Sequence, residues 1–243
     1  MKLLVGPVSV EEVKILLNTD VSILDVKNTK EGSYGAAQPR LISDVKNVLM
    51  DTNKIVSATL GDLPNKPGTA ALAALGAIKS GASILKVGLH DCSSFEDGLA
   101  IMNAIEDAIK ISGEDVSAFV GGYADYKKIN SISPETLINI ALASKSKGVM
   151  IDTKFKDGES LFDILGVERV GNFVREAHKN GLEVALAGAI NEKHMYIMQD
   201  IKPDIVAVRG SVCVNGDRTK KVDVNRVKIF AEKLKDINPS TKN

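Results

Sequence analysis

The feature that most constrains the fold is a regular alternation of short, β-branched runs with longer stretches of helical spacing. Eight such runs occur along the 243-residue chain, and each is followed by enough residues for one helix. An alternation repeated eight times in a chain of this length is typical of the (β/α)8 barrel. The predicted strands are residues 3–5, 22–26, 55–59, 84–89, 117–121, 148–152, 183–187 and 205–208.

Start and stop signals mark several helices between these runs. Ser9 has a glutamate three residues later, and Ser133 is followed by a proline, so each predicts a helix N-cap. An alanine-rich helix is expected after Thr69. One helix is also expected from about 161 to 178, ended by Gly181. These signals place a helix after each of the corresponding strands, as the barrel requires.

A doubly wound open sheet is the alternative α/β architecture. Such a sheet needs fewer strands and usually carries a glycine-rich phosphate loop after its first strand. Here Gly6 and Pro7 follow the first strand, and the chain has no GxGxxG pattern. The sequence therefore predicts an α/β protein with a single (β/α)8 TIM barrel as its only domain, over residues 1–243.

The formal charges balance, with 31 lysines and arginines against 31 aspartates and glutamates. A chain without net charge has no global field to attract nucleic acid or an anionic membrane, so neither is expected as a partner. The apolar runs fall short of the ~20 residues that a membrane-spanning helix requires, and the first residues do not resemble a signal peptide. We therefore expect a cytoplasmic protein.

Cysteine and histidine are too few and too scattered to form a metal site. Cys92 and Cys213 share no metal-ligand or CxxC spacing, and the three histidines lie far apart in the sequence. We expect no metal, no redox pair and no disulfide. Near-zero net charge and low aromatic content do not oppose self-association, so a homo-oligomer is predicted.

The most informative residues are charges inside the predicted strands. Strands of a parallel barrel are covered on both faces and normally read as continuous apolar runs. Here Asp25 and Lys27 interrupt the second strand, Lys86 the fourth and Asp152 the sixth. Because side chains alternate between faces, pointing these charges at the helix layer would bury them without partners. The pattern predicts that all four point into the barrel near its C-terminal mouth, where TIM-barrel active sites lie.

Two lysines in one interior layer indicate amine chemistry. A free lysine with a pKa of ~10.4 is almost entirely protonated at pH 7 and is a poor nucleophile. Burial and a second ammonium lower that pKa by about 3 in enzyme sites, which leaves roughly a third of the amine neutral. This favours a Schiff-base enzyme in which the aspartates help to move protons. A buried structural ion network is the alternative, and the spacing leaves open which lysine attacks.

Several loops at the same mouth have the composition of a phosphate site. Gly188 follows the seventh strand, and Arg209, Gly210 and Ser211 follow the eighth, which are the positions where barrels often bind phosphate. The loop after the third strand adds Lys66 just before a helix start. We therefore expect these residues to bind the phosphate of a small-molecule substrate.

Seven motifs occur in order along nearly the whole chain. They are DVKNTKEGSYGA from Asp25, SATLGDLPNKPGT from Ser57, KVGL from Lys86, GGYAD from Gly121, IDTKFKDG from Ile151, ALAGAI from Ala185 and VRGSVC from Val208. Together they resemble the (5-formylfuran-3-yl)methyl phosphate synthases of methanogens, also called 4-(hydroxymethyl)-2-furancarboxaldehyde-phosphate synthases. The resemblance implies a TIM-barrel lyase of methanofuran biosynthesis that condenses two molecules of glyceraldehyde 3-phosphate and releases phosphate and water. It also implies a lysine Schiff base and no metal or organic cofactor.

The same resemblance assigns roles motif by motif. Lys27 of DVK would form the Schiff base, and Lys86 of KVGL would transfer protons. The remaining catalytic residues would be Asp25, Asp152 and Lys156. The assignment of Lys156 comes from the resemblance alone, since strand periodicity favours Lys154. Thr29 stands where the family is expected to have proline, a change confined to a loop.

The remaining histidines and cysteines receive no role. His90 shares the strand face of Lys86, but the resemblance implies other acid–base residues. His178 and His194 are expected on helices that face away from the site. Cys92 and Cys213 are expected to be ordinary small residues.

Two other functions fit the residues. A Schiff-base aldolase acting on triose phosphates would share every feature of the interior lysines and differ only after carbon–carbon bond formation. A phosphate-ligand sensor without catalysis would have no need of paired interior lysines. Borohydride trapping would separate enzyme from sensor, and the spectrum of the product would separate furan synthase from aldolase.

Overall fold

Eight parallel strands form a closed barrel in the computed structural model, which describes residues 1–237. The strands are β1 (Lys2–Val5), β2 (Ile23–Val26), β3 (Ile55–Leu63), β4 (Ile84–Leu89), β5 (Ser117–Tyr123), β6 (Gly148–Asp152), β7 (Glu183–Leu186) and β8 (Ile205–Val208). Each strand pairs with its sequence neighbours, and β8 closes against β1. The predicted (β/α)8 TIM barrel is confirmed. Residues 238–243 of the predicted domain lie outside the described residues.

The connections between strands carry the helices. Within the described residues these are α1 (Val10–Leu16), α2 (Pro39–Val48), α3 (Pro67–Lys79), α4 (Phe95–Ser112), α5 (Pro134–Ser144), α6 (Leu161–Leu165), α7 (Val167–Lys179), α8 (Met195–Ile201) and α9 (Val224–Asp236). None of the helices in residues 1–237 is long and apolar enough to cross a membrane.

The cap signals in the sequence mark real helix starts. Ser9 accepts a hydrogen bond from the backbone N–H of Glu12 and caps α1. Ser133 does the same for Thr136 at the start of α5, where proline occupies the first turn. These caps satisfy backbone donors that the first helical turn leaves unpaired.

Several element boundaries differ from the prediction, those of β1, β2, β5 and β7 by only one or two residues. The helix expected over 161–178 is two helices, because Gly166 adopts φ 79° and ψ 147° and interrupts the hydrogen-bond ladder. The alanine-rich helix α3 begins earlier, at Pro67, whose ring presets a helical φ. The third strand continues to Leu63, because a bulge between Thr59 and Asp62 lets it go on pairing with β4.

Two separate apolar clusters fill the molecule. The larger one lies between the sheet and the surrounding helices. The smaller one fills the barrel interior with side chains from alternate strand positions, including Ile23, Phe119, Met150, Ala185 and Ile205. Asp25 and Lys86 belong to the same inward-facing positions, so the predicted direction of these strand charges is confirmed.

Candidate active site

The deepest part of the site is an ion pair between β2 and β4. Lys86 Nζ lies 2.5 Å from Asp25 Oδ1, and the two side chains are 2% and 1% exposed. Ser57 on β3 donates from Oγ to the same oxygen at 2.8 Å. Lys86 Nζ has no other polar partner in residues 1–237. Burial lowers the pKa of Lys86; Asp25 opposes the change, and the Lys27 ammonium lowers the pKa further.

Lys27 lies one residue beyond the end of β2, where the barrel opens. Its side chain is half-buried, and its Nζ donates to the carbonyl oxygen of Ser33 at 3.4 Å. Gly6, after β1, leaves space for the lysine, since a Cβ there would lie 3.0 Å from Lys27 Cε. Lys27 forms no ion pair within the described residues, so its amine is not tied to a carboxylate.

A second ion pair stands on the β6 side of the mouth. Lys156 Nζ lies 2.7 Å from Asp152 Oδ1 and donates to the Thr153 carbonyl oxygen at 2.6 Å. Burial lowers the pKa of Lys156; Asp152 opposes the change and Lys27 reinforces it. Burial alone would raise the pKa of Asp152, but Lys156 and Lys27 outweigh it and hold that pKa below its usual value.

These groups surround a cavity of about 700 Å³ at the C-terminal mouth. Asp25, Lys27, Asp152 and Lys156 line it, whereas Lys86 lies beneath Asp25. The loops after β7 and β8 form the part of the wall between the β6 side and the β2 side. Their polar lining side chains include Asn191, Lys193, Arg218 and Arg226. A cavity of this size accommodates ligands of several hundred Å³ and is bordered by more cations than carboxylates.

Backbone from two loops faces the cavity where the sequence predicts a phosphate. Gly188 and Ala189 follow β7 with φ values of 97° and 49°, and Gly210 and Ser211 follow β8. The left-handed φ of Ala189 is backbone strain retained at the cavity wall. Loops of this kind direct N–H groups at anions. Ser211 Oγ is buried without a hydrogen-bond partner in residues 1–237, which leaves a donor unused.

Two of the predicted phosphate ligands are directed elsewhere. Arg209 is buried, and its Nη1 donates to Glu12 Oε2 at 2.9 Å and to the Gly6 carbonyl at 2.6 Å. Arg209 lines the cavity, but its guanidinium N–H groups are all donated to protein acceptors in this structure. Lys66 lies at the exposed N-cap of α3 and does not line the cavity. The sequence indicates which loops reach the mouth, but not where their side chains point.

A buried carboxylate that the sequence analysis did not single out anchors the loop after β2. Asp62 accepts hydrogen bonds from the backbone N–H groups of Ser33 and Tyr34, at 3.1 and 3.2 Å. It also accepts from Tyr123 Oη at 2.5 Å and from Lys154 Nζ at 2.8 Å. Lys154 thus pairs with Asp62 rather than with Asp25 or Asp152. Asp62 lies in the motif SATLGDLPNKPGT, directly after a glycine, but neither feature indicates where its side chain points.

The same loop inserts a tyrosine into the barrel. Tyr34 is fully buried, and its hydroxyl donates to the Gly122 carbonyl at 3.2 Å. Gly88 and Gly121 make space for it, since a Cβ at either would lie within 2.6 Å of the Tyr34 ring. The ring fills the β4–β5 side of the interior, which confines the open cavity to the other side of the barrel.

A further carboxylate holds the loop that carries Lys156. Asp125, after β5, accepts hydrogen bonds from the backbone N–H groups of Lys154 and Phe155, both at 2.8 Å. It is buried. The GGYAD motif contains this aspartate, which was therefore visible in the sequence without a role.

The family model described as 4-HFC-P synthase matches residues 3–231. The chain belongs to this family. A curated relative, the (5-formylfuran-3-yl)methyl phosphate synthase of Methanosarcina barkeri, is 43% identical over 233 residues, which cover 96% of this chain and 99% of that protein. The protein of the same name from Methanocaldococcus jannaschii is 41% identical over 97% of this chain and 100% of its own length. The resemblance found in the motifs is confirmed.

Solved structures of other enzymes share the fold of this 4-HFC-P synthase family member. A 3-hexulose-6-phosphate synthase superposes with a TM-score of 0.66 at 16% identity, covering 98% of this chain and 99% of its own. Phosphoribosyl anthranilate isomerase from Thermus thermophilus gives 0.62 at 12% identity, over 98% and 100%. At these identities the likeness establishes the barrel fold alone.

Among the described residues of this 4-HFC-P synthase family member, no histidine or cysteine lines the cavity. His178 lies on α7 and its Nε2 is 2.8 Å from Asp204 at the protein surface. Burial raises the pKa of the Cys92 thiol to about 12, which disfavours the reactive thiolate. Within residues 1–237, no group of three or more His, Cys, Asp or Glu side chains is arranged to hold a metal ion.

Proposed function

We propose that this protein condenses two molecules of glyceraldehyde 3-phosphate into (5-formylfuran-3-yl)methyl phosphate, with loss of phosphate and water, for methanofuran biosynthesis. It would act as a carbon–oxygen lyase through a lysine Schiff base, without a metal or organic cofactor. The main support for this proposal is the placement of two lysines in different environments. Lys27 opens onto the cavity, while Lys86 is buried against Asp25 directly beneath. Separate amines for attack and for proton transfer suit such a condensation.

Lys27 is the nucleophile in this proposal. Within residues 1–237 its Nζ has a neutral carbonyl as its only hydrogen-bond partner, so a neutral amine can turn to the substrate without breaking an ion pair. Attack on the aldehyde carbon forms a C–N bond, and loss of water leaves a protonated imine. The imine withdraws electrons from the neighbouring carbon, which can then release a proton and attack the second aldehyde. The new carbon–carbon bond joins the two trioses.

The Asp25–Lys86 pair is the proton carrier in this proposal. Asp25 touches both the cavity and Lys86, so it links the substrate to the buried amine. A lysine whose pKa is lowered by burial exchanges protons at a pH where an exposed lysine stays charged. Asp152 and Lys156 form a second acid–base pair on the other side of Lys27, suited to the later losses of water and phosphate.

The substrate phosphates would bind on the β7–β8 side of the cavity. Gly188 and Ala189 offer backbone N–H groups, and Gly210 and Ser211 offer others after β8. Arg218 and Arg226 line the same region and are not paired with a carboxylate within residues 1–237, whereas Arg209 is paired with Glu12. A phosphate bound there leaves the aldehyde end of a triose facing Lys27.

The decisive experiment is product spectroscopy after incubation with glyceraldehyde 3-phosphate alone. A furan aldehyde absorbs strongly in the near ultraviolet, and appearance of this absorption with release of inorganic phosphate would support the proposal. A carbon–carbon product without that absorption would indicate an aldolase instead. No conversion, together with no borohydride-trapped lysine, would indicate a phosphate-binding protein and refute the proposal.

Self-association and a cytoplasmic location are also part of the proposal. Leu72 on α3 and Ile111 on α4 are largely exposed, and these two helices pack side by side. Large apolar side chains on adjacent helices suit a contact between copies of the chain. Both cysteines are free and buried, which suits a reducing compartment. Sedimentation showing only monomer at micromolar concentration would refute the oligomer.

A further inference from the structure

We infer that Asp62 is a positioning residue that orients the Lys27 amine through a single peptide group, the one joining Ser33 to Tyr34. The inference rests on the proposed role of Lys27. It concerns a carboxylate that neither lines the cavity nor touches Lys27. Its effect would be exerted at the step in which the amine meets the substrate carbonyl.

The backbone of β3 is built to bring this carboxylate inward. Thr59 pairs with Lys86 and Asp62 with Gly88, so three steps along β3 correspond to two along β4. The extra residue is a bulge, and Gly61 within it adopts φ 125°. A regular strand would alternate Asp62 away from the face shared by Ser57 and Thr59. Bulges next to active sites commonly redirect a side chain in this way.

Inside the barrel, every acceptor position of the Asp62 carboxylate is occupied by a hydrogen bond. It accepts four hydrogen bonds, from Ser33 N, Tyr34 N, Tyr123 Oη and Lys154 Nζ. Its side chain is 5% exposed. Four donors match the four lone-pair positions of a carboxylate, so the group is held in one orientation. Two of these donors belong to the loop after β2.

The link to Lys27 is the peptide between Ser33 and Tyr34. Its N–H donates to Asp62 Oδ1 at 3.2 Å, and its carbonyl oxygen accepts from Lys27 Nζ at 3.4 Å. In a trans peptide the N–H and the C=O point in opposite directions, so fixing one end fixes the other. A carboxylate at the N–H end also polarises the peptide and strengthens the carbonyl as an acceptor.

This carbonyl is placed to direct the amine. By accepting one N–H it leaves the nitrogen lone pair free to point at the cavity, where Lys27 meets the substrate. The protonated imine has a single N–H, and the same carbonyl can accept it after attack. Asp62 therefore orients the Lys27 amine, while the atoms that react are those of Lys27 and the substrate.

The loop itself has other anchors, which makes the effect of Asp62 separable from folding. Tyr34 stays packed against Gly88 and Gly121, Thr59 Oγ1 donates to the Gly35 carbonyl at 2.7 Å, and Ser33 Oγ donates to the Thr153 carbonyl at 2.7 Å. Loss of the Asp62 charge should therefore loosen one peptide rather than the whole loop.

The test compares Asp62→Asn with Tyr123→Phe as a matched control. The amide keeps its oxygen toward Lys154 and Ser33, and its NH₂ then faces the Tyr34 N–H, which loses its acceptor. Tyr123→Phe removes another partner of the same Asp62 oxygen but leaves that peptide bonded. The rate of cyanoborohydride trapping of glyceraldehyde 3-phosphate at Lys27 is measured by peptide mass spectrometry. The inhibition constant of inorganic phosphate is measured in parallel.

We expect Asp62→Asn to slow trapping by ~10- to 100-fold while the phosphate inhibition constant stays within about twofold. Tyr123→Phe should trap at nearly the wild-type rate. Equal trapping by folded Asp62→Asn and wild type would overturn the inference, as would an equal loss in Tyr123→Phe. Failure of the wild type to trap at Lys27 would instead overturn the proposed function. If Asp62→Asn does not fold, Asp62→Glu, which displaces the carboxylate but keeps its charge, is judged by the same criteria.

Discussion

Lys27 and Lys86 occupy different environments, and the proposed division of their roles rests on this difference between single residues. Lys27 contacts a neutral carbonyl at the edge of the cavity, whereas Lys86 is enclosed and paired with Asp25. Imine formation needs an accessible neutral amine, and proton transfer needs a group with a shifted pKa. Arginine substitutions test the division, because guanidinium keeps the positive charge but stays protonated.

Replacing Lys27 with arginine should abolish both turnover and borohydride trapping, since no imine can form at that position. Peptide mass spectrometry after reduction in the presence of glyceraldehyde 3-phosphate is the measurement. Lys128→Arg, at an exposed surface pair with Glu159, is the control and should behave as wild type. A reducible adduct at Lys86 in the Lys27→Arg protein would mean that the two roles are reversed.

Replacing Lys86 with arginine should abolish turnover yet leave some trapping at Lys27, because imine formation requires only one free amine. The loss of turnover should exceed the ~10²- to 10⁴-fold that is typical of removing one acid or base, since the proposed mechanism uses Lys86 in several steps. Turnover and trapping are measured on the same preparation. Complete loss of trapping in a folded Lys86→Arg protein would argue against its role as a proton carrier.

At the scale of elements, glycine conformation decides where a helix stops. Gly166 between α6 and α7 has φ 79°, and a Cβ there would meet nothing within 4 Å. Gly76 lies inside α3 and also has open space around it. Gly166→Ala should therefore destabilise the protein by ~1 kcal/mol or more, whereas Gly76→Ala should stabilise it by ~0.4–1 kcal/mol. Urea unfolding measures the change in unfolding free energy of each variant. A change of the same sign in both would contradict the prediction.

The contact between α4 and the start of β6 contains a carboxylate in an unfavourable setting. Burial raises the pKa of Glu106, although a hydrogen bond from Ser146 at 2.9 Å opposes the change. The folded state thus holds this proton more tightly than the unfolded chain does. The resulting penalty is absent below the unfolded pKa of about 4.3 and grows as pH rises through the folded pKa.

Glu106→Gln removes this penalty and can keep the bond from Ser146. Its gain in unfolding free energy over wild type should be near zero at pH 4 and positive at pH 8. The gain should stay below about 1 kcal/mol, because the side chain is partly exposed. Urea titrations at the two pH values measure it. A gain in unfolding free energy that is equal at the two pH values, or larger at pH 4, would contradict a raised pKa of Glu106.

At the scale of the whole molecule, one buried ion pair joins the beginning of the barrel to its end. Glu12 on α1 accepts from Arg209 after β8, and also from the backbone N–H groups of Val8 and Val222. The carboxylate therefore connects segments nearly 200 positions apart. Removing either partner leaves the other charge buried without a counter-ion.

Arg209→Met should cost ~3–5 kcal/mol of unfolding free energy, since Glu12 is left without its cation. The double variant Arg209→Met with Glu12→Gln should recover part of this loss, because no unpaired charge then remains. Urea denaturation of both proteins, with the phosphate inhibition constant of each folded protein, completes the test. A loss of phosphate affinity without any loss of stability would mean that Arg209 binds substrate directly.

Part of the arrangement at the barrel mouth could be predicted from the sequence. Period-2 alternation places Asp25 and Lys86 on the inward face, because a helix layer cannot accept unpaired charges, and the barrel bears this out. Strand periodicity favours Lys154, and only the resemblance to the family indicates Lys156, which lies against Asp152. Asp62 escaped prediction because its direction depends on a bulge, and one extra residue in a strand reverses every side chain beyond it.

The barrel, the family and the inward direction of the strand charges could be predicted from the residues, because they follow from local periodicity and ordered motifs. The pairing of charges with one another became visible only in the folded barrel. Arg209 turns to Glu12 rather than to the cavity, and Lys154 turns to Asp62 rather than to Asp152. A long cationic side chain reaches carboxylates on several elements, and its choice depends on distances that only the closed barrel sets.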